Sequence, residues 1–136
     1  MSYNIQLLDS KTRQVLDLKS KFQPWYLKHD QSDPCIVTIT YNYSGYYRIA
    51  FNDLAGIRIL YGKSGKDSIS LLNMAIAKLP NNTDPNYWEA TGGNAKRPLK
   101  RLLRMAEQHP EGIWYHDTRR NLGWRLKLQN RKQLNR

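Results

Sequence analysis

Residues 96–106 carry the pattern that most restricts how this chain can fold, because apolar and cationic side chains alternate there at the spacing of a helix. At about 100° per residue, one side of the helix is apolar. That side holds Leu99, Leu102, Leu103 and Ala106. The opposite side holds Lys96, Arg97, Lys100, Arg101 and Arg104. Such a segment has to dock its apolar side on a core and leave its basic side in water.

Four other segments have the composition or alternation of strands. Residues 3–8 and 15–18 flank a polar cluster at 9–12 and predict an N-terminal β-hairpin. Residues 35–41 are rich in β-branched side chains and predict a strand. Residues 123–128 alternate apolar with basic residues, which predicts a strand with one apolar and one basic face.

Three segments have helical periodicity, with capping or stop signals at their ends. Their predicted limits are Ser44 to Gly56, Asp67 or Ser68 to Pro80, and Asn94 or Pro98 to His109. The expected fold is therefore a small α+β domain over residues 1–128, in which the hairpin and further strands form an antiparallel or mixed sheet packed against about three helices. Residues 129–136 are polar and basic, and we expect a flexible tail there.

Length, cysteine content and hydropathy restrict the class of protein. A chain of 136 residues fits one domain. No apolar run approaches the ~18 residues of a membrane helix, and the N-terminus lacks the basic and apolar regions of a secretory signal. The single cysteine, Cys35, cannot form an internal disulfide, which favours a reducing compartment. These features predict a cytoplasmic protein that does not contact membranes.

Charge is concentrated at one end of the chain. Of a net charge of +11, residues 96–136 contribute 12 Lys or Arg against three acidic residues. This asymmetry points to a polyanionic partner, most often nucleic acid, although a basic helix side can equally be a solvated surface.

Two features favour a binding role for the basic helix. Several of its cations are predicted to lie in the first two turns, where the helix dipole makes cations unfavourable by about 0.3–1 kcal/mol each. The helix is also preceded by Thr91, Gly92, Gly93 and Asn94. Glycines before a helix N-terminus can bring N–H groups close to an anion, so these four residues form a candidate phosphate loop, although a Gly-Gly pair is more often a simple turn.

Further cations extend the predicted surface beyond the helix. They are Arg119 and Arg120 after the helix, and Arg125 and Lys127 on the outer face of the last predicted strand. If five side chains neutralise phosphates on a duplex, log affinity falls against log salt with a slope of about −4.5. We therefore expect salt-sensitive binding with little sequence selectivity.

Tyr41, Tyr43, Tyr46 and Tyr47 form an aromatic cluster. Exposed tyrosines could stack on unpaired bases, but helical spacing assigns most of the cluster to the core.

Catalytic and metal chemistry has weaker support. Gly62-Lys63-Ser64 resembles the end of a phosphate-binding loop, but its spacing from Gly56 is wrong and no helix is predicted to begin there. The histidines and Cys35 lack the paired spacing of metal ligands, so no metal or cofactor is predicted. Cys35 is expected to be a buried structural thiol.

Three motifs carry a resemblance to other proteins. They lie at residues 39–47 (ITYNYSGYY), 56–65 (GIRILYGKSG) and 87–95 (YWEATGGNA), the last continuing to Trp114. Over residues 35–117 the chain resembles a group of small proteins encoded in bacterial genomes, prophages and phages, to which no activity is attached. The resemblance implies a small stand-alone domain, as found in mobile elements, and implies no site residues.

Three functions follow in order of preference. The first is non-enzymatic binding of DNA or RNA, as in an accessory factor of a phage or mobile element. The second, from a different class, is inhibition of a host defence or nucleic-acid enzyme by binding an acidic surface of that protein. The third is a small nuclease using His116 and Asp117, or the N-terminal carboxylates Asp9 and Asp17.

Overall fold

The computed structural model describes residues 2–18 and 33–116. Within these ranges the chain forms three strands and three α-helices, with two short 3₁₀ helices between the second strand and the second α-helix. The prediction of an α+β domain is confirmed. The expected strand at 123–128 and the tail at 129–136 lie outside the described residues.

The sheet is antiparallel, and its central strand is the first in the chain. β1 (Ser2–Leu8) pairs on one side with β2 (Ile36–Thr40) and on the other with β3 (Ile113–His116). Tyr3 lies opposite Ile39, and Leu7 lies opposite Trp114. These four side chains are buried, so one face of the sheet forms a wall of the core.

The chain reverses after β1 at the predicted turn. The Asp9 carboxylate accepts hydrogen bonds from the backbone N–H groups of Lys11 and Thr12, each at 2.8 Å, which also lowers the pKa of Asp9. The returning arm meets β1 through an isolated bridge between Leu8 and Val15. The long-range partners of β1 in the sheet are therefore β2 and β3 rather than residues 15–18.

The helical region after β2 begins earlier than Ser44. Thr40 accepts a hydrogen bond from the Asn42 N–H and starts a 3₁₀ turn, Tyr41–Tyr43, which runs into α1 (Ser44–Ala50). Ser44 is thus the first residue of α1, and the prediction that it is the N-cap is wrong. Gly56 does adopt a positive φ of 59°, but it begins a second 3₁₀ helix, Gly56–Leu60, instead of ending α1.

The second α-helix, α2 (Gly65–Lys78), also starts earlier than predicted. Ser64 caps it by accepting a hydrogen bond from the Asp67 N–H at 3.1 Å, so the assignment of the cap to Asp67 or Ser68 is wrong. The helix ends just before Pro80, as predicted.

The core lies between the sheet and the helices. α2 packs against the third helix, α3 (Gly92–Gln108), which also contacts β2. Trp114 of β3 links the sheet to α2, because its indole N–H donates to the buried hydroxyl of Ser68 at 2.8 Å. This arrangement covers the apolar side of α3 and turns its other side outward.

Candidate functional site

The sequence correctly separates the buried and exposed sides of α3. Leu99, Leu102, Met105 and Ala106 have no solvent-accessible surface and belong to the core. Pro98 is buried in the same helix, where it removes the N–H that would bond the carbonyl of residue 94. The buried side fixes the rotation of α3, and therefore decides which cations face solvent.

Three cations of α3 are exposed and unpaired in the described part of the chain. Arg97, Lys100 and Arg104 have no carboxylate oxygen within 4.0 Å among residues 2–18 and 33–116. Since none of the three forms an ion pair there, their charge is left to solvent and to any ligand. We call these three residues the basic side of α3.

The other two predicted cations have partners within the chain. The Arg101 guanidinium donates to the Asp33 carboxylate at 2.8 Å, and both side chains are about one-third exposed. The Lys96 ammonium donates to the side-chain oxygen of Asn81 at 2.6 Å. Arg101 thus ties α3 to the segment before β2, and its charge is partly compensated.

α3 begins at Gly92, earlier than predicted, so its cations lie further from its N-terminus than expected. Thr91 is the N-cap, and its hydroxyl accepts a hydrogen bond from the Asn94 N–H at 3.1 Å. The first turn therefore contains no charged residue, and Lys96 and Arg97 lie in the second turn. Since the dipole acts mainly within the first turn, the predicted conflict between these cations and the dipole largely disappears.

The Gly-Gly pair has a packing role. A Cβ on Gly92 would lie 2.3 Å from a ring carbon of Pro80, and one on Gly93 would lie 2.4 Å from the carbonyl oxygen of Asn82. The Gly93 N–H donates to that same oxygen at 2.9 Å. Both glycines allow the chain after α2 to cross the start of α3 at close range.

Asn94 completes this junction. Its side chain is buried, accepts a hydrogen bond from the Asp84 N–H, and donates to the carbonyls of Asp84, Asn86 and Glu89 at 3.1–3.2 Å. Of the predicted phosphate loop, therefore, the N–H groups of Gly93 and Asn94 are already bonded within the chain. Packing and hydrogen bonds within the chain account for the residue types at 91–94, so these residues are not part of the proposed binding surface.

Of the predicted residues that follow α3, only His116 belongs to the described part of the chain. Arg119, Arg120, Arg125 and Lys127 lie outside the described residues, as does Asp117. His116 is the last residue of β3. The proposed extension of the basic surface and the His116–Asp117 pair remain predictions.

Cys35 and Asp9, two of the residues considered for catalysis, lie within the described residues. Within residues 2–18 and 33–116, no group of three or more His, Cys, Asp or Glu side chains converges as a metal site. Cys35 is buried, and desolvation raises the pKa of its thiol to about 11, which disfavours the thiolate. The Asp9 carboxylate is used in the turn after β1.

The predicted tyrosine cluster is mostly core, and a different aromatic pair is exposed. Tyr43 and Tyr47 are fully buried, as helical spacing predicts. Tyr87 and Trp88, in the loop between α2 and α3, are 42% and 61% exposed, with ring centroids 5.4 Å apart in an edge-to-face arrangement. Sequence analysis did not identify this pair because a loop has no periodicity that marks a side chain as exposed.

Comparisons with known proteins identify no relative: no family model, no curated protein and no solved structure matches this chain. The resemblance to small phage and bacterial proteins therefore stays a prediction. In residues 2–18 and 33–116, none of the helices combines the length and apolarity needed to cross a bilayer.

Proposed function

We propose that this protein binds nucleic acid without catalysis and that the basic side of α3 contacts the phosphate backbone. The observation that carries the proposal is the unpaired state of Arg97, Lys100 and Arg104 on the outward side of a helix whose opposite side is fixed in the core. A row of cations spaced along a helix suits a polyanion with a repeating charge.

The charge of the rest of the chain supports the same proposal. Residues 1–95 contain ten basic and eight acidic residues, whereas residues 96–136 are strongly basic. A general excess of positive charge would be spread over the surface, but here the excess begins at α3. The basic side of α3 is the described part of this region.

The experiment is a salt titration of binding. A fluorescein-labelled 20-base-pair duplex is titrated with the protein at several salt concentrations between 50 and 300 mM, and anisotropy gives Kd. Each phosphate contact contributes about 0.9 to the slope of log affinity against log salt on a duplex. Replacing Arg97, Lys100 and Arg104 together by Gln should therefore reduce the magnitude of the slope by about 2–3.

The matched control removes the same number of charges elsewhere. Lys11, Lys66 and Lys78 are exposed residues on the turn after β1 and on α2. Their combined replacement by Gln changes net charge equally and should change the slope by less than about 1. If the slope of log affinity against log salt falls equally in both variants, a specific role for α3 is refuted. Failure of the native protein to bind both this duplex and a single-stranded 20-mer would refute the proposal, and would leave an acidic protein surface as the partner to test.

A further inference from the structure

The indole of Trp88 is an apolar surface held in solvent. Because 61% of Trp88 is exposed, the side chain contributes much less to the free energy of folding than a buried tryptophan would. The neighbouring Tyr87 is held differently, since its ring packs edge-to-face on Tyr43 at 5.7 Å and its hydroxyl donates to the Thr38 carbonyl at 3.3 Å. Tyr87 is therefore held against the core, and its ring contacts the more exposed ring of Trp88.

The backbone that carries this pair is fixed from several directions. The Asn42 side-chain amide donates to the Trp88 carbonyl at 3.0 Å, and the Tyr43 hydroxyl donates to the Tyr87 carbonyl. The Trp88 N–H donates to the Asn86 side chain at 3.1 Å. A ligand that stacks on Trp88 would lose little free energy in ordering this loop, since the loop is already ordered.

The same loop is attached to the start of α3, next to a cation of the basic side. Asn94 donates to the carbonyls of Asn86 and Glu89, which flank the aromatic pair. Arg97 lies three residues further along α3, which places it on an adjacent position of the helix surface. Burial raises the pKa of the Tyr43 hydroxyl, the group that holds Tyr87; Tyr87 adds to this rise and the positive charge of Arg97 opposes it.

We propose that the nucleic acid bound by this protein is single-stranded, with an unpaired base stacked on Trp88 and the adjoining backbone on Arg97 and the rest of the basic side of α3. This inference rests on the proposed function and names its substrate class. Proteins that bind single strands combine cationic grooves with aromatic side chains, because an unpaired base offers a free π-face. In a duplex those faces are covered by neighbouring base pairs, so Trp88 would have nothing to stack on.

The test compares two probes and two substitutions in the full-length protein. The probes are a fluorescein-labelled thymidine 20-mer and the 20-base-pair duplex, measured at the same salt concentration. Trp88→Ala should weaken binding of the thymidine 20-mer by about 5- to 150-fold, the range expected for loss of one stacked base. Binding of the duplex should change by less than about 2-fold, and Trp88→Phe should restore most of the single-strand affinity.

Leu54→Ala is the matched control, because Leu54 is 91% exposed and also apolar. It should leave both affinities unchanged, and the urea midpoints of all variants show whether each one is folded. An equal effect of Trp88→Ala on both probes, or no effect on either, would overturn the single-strand inference while leaving nucleic-acid binding intact. Failure of the native protein to bind either probe would refute the proposed function itself.

Discussion

The close crossing of the chain over the start of α3 predicts that Gly93→Ala destabilises the fold. A Cβ at this position would lie 2.4 Å from the Asn82 carbonyl oxygen, 2.7 Å from a methyl carbon of Thr83 and 2.8 Å from the Asn81 carbonyl oxygen. Two of these three atoms belong to the backbone, so they cannot move away by a change of rotamer. The segment at 81–83 would have to shift as a whole.

The magnitude follows from two costs and one gain. Overpacking of this kind costs about 1–3 kcal/mol. A shift of Asn82 also lengthens its 2.9 Å hydrogen bond from the Gly93 N–H, a contact worth about 0.5–1.5 kcal/mol. Alanine recovers up to about 1 kcal/mol through its better helix propensity. We therefore expect a net loss of about 1–3 kcal/mol in the free energy of unfolding.

The assay is urea unfolding followed by far-ultraviolet circular dichroism. With m-values of about 1–3 kcal/mol/M, the midpoint should fall by at least about 0.3 M. Gly45→Ala is the control, because an added Cβ at this exposed helical position meets nothing within 4 Å. That variant should be as stable as the native protein or more stable, by up to about 1 kcal/mol.

The outcome also distinguishes packing from anion binding at the Gly-Gly pair. A phosphate loop would lose affinity in Gly93→Ala while its stability stayed constant. A Gly93→Ala variant with an unchanged or higher urea midpoint would therefore refute the argument that the glycine is required by the crossing at Asn82.

Two further predictions concern buried polar groups. Ser68→Ala removes the acceptor of the Trp114 indole N–H, and we expect a loss of about 1–3 kcal/mol in urea unfolding; an unchanged midpoint would show that this hydrogen bond contributes nothing. For Cys35, the folded pKa of about 11 lies above the unfolded value of 9.0, so its contribution to stability is complete below pH 9 and is lost as pH rises towards 11. The urea midpoint should accordingly fall less between pH 8 and pH 10.5 in Cys35→Ala than in the native protein, and identical falls would contradict the assignment.

Periodicity in the sequence was sufficient to predict the three α-helices and to separate the buried side of α3 from its exposed side. The spacing of Leu99 and Leu102 against Lys100 and Arg104 is a local property, and any fold that buries the leucines must expose those cations. Helical spacing also identified the burial of Tyr47, while a polar turn signal and β-branched composition identified β1 and β2. Sequence analysis missed β3, because residues 113–116 are too few to show a clear alternation.

Helix ends were less predictable than helix centres. α2 and α3 each begin earlier than expected, at Gly65 and Gly92, because caps at Ser64 and Thr91 allow glycines into the first turn. Glycine has low helix propensity, so a sequence pattern places it outside the helix. Tertiary packing reverses this preference where another segment has to pass close to the helix.

The sequence by itself determined that one side of α3 is basic and the other apolar, because both follow from the order of residues along a single helix. Only the tertiary structure decided which of those cations are free to bind. Arg101 is compensated by Asp33, a residue 68 positions away, whereas Arg97, Lys100 and Arg104 have no carboxylate partner among residues 2–18 and 33–116. The pairing of Arg101 with Asp33 depends on a contact between segments far apart in the chain, and no local pattern specifies it.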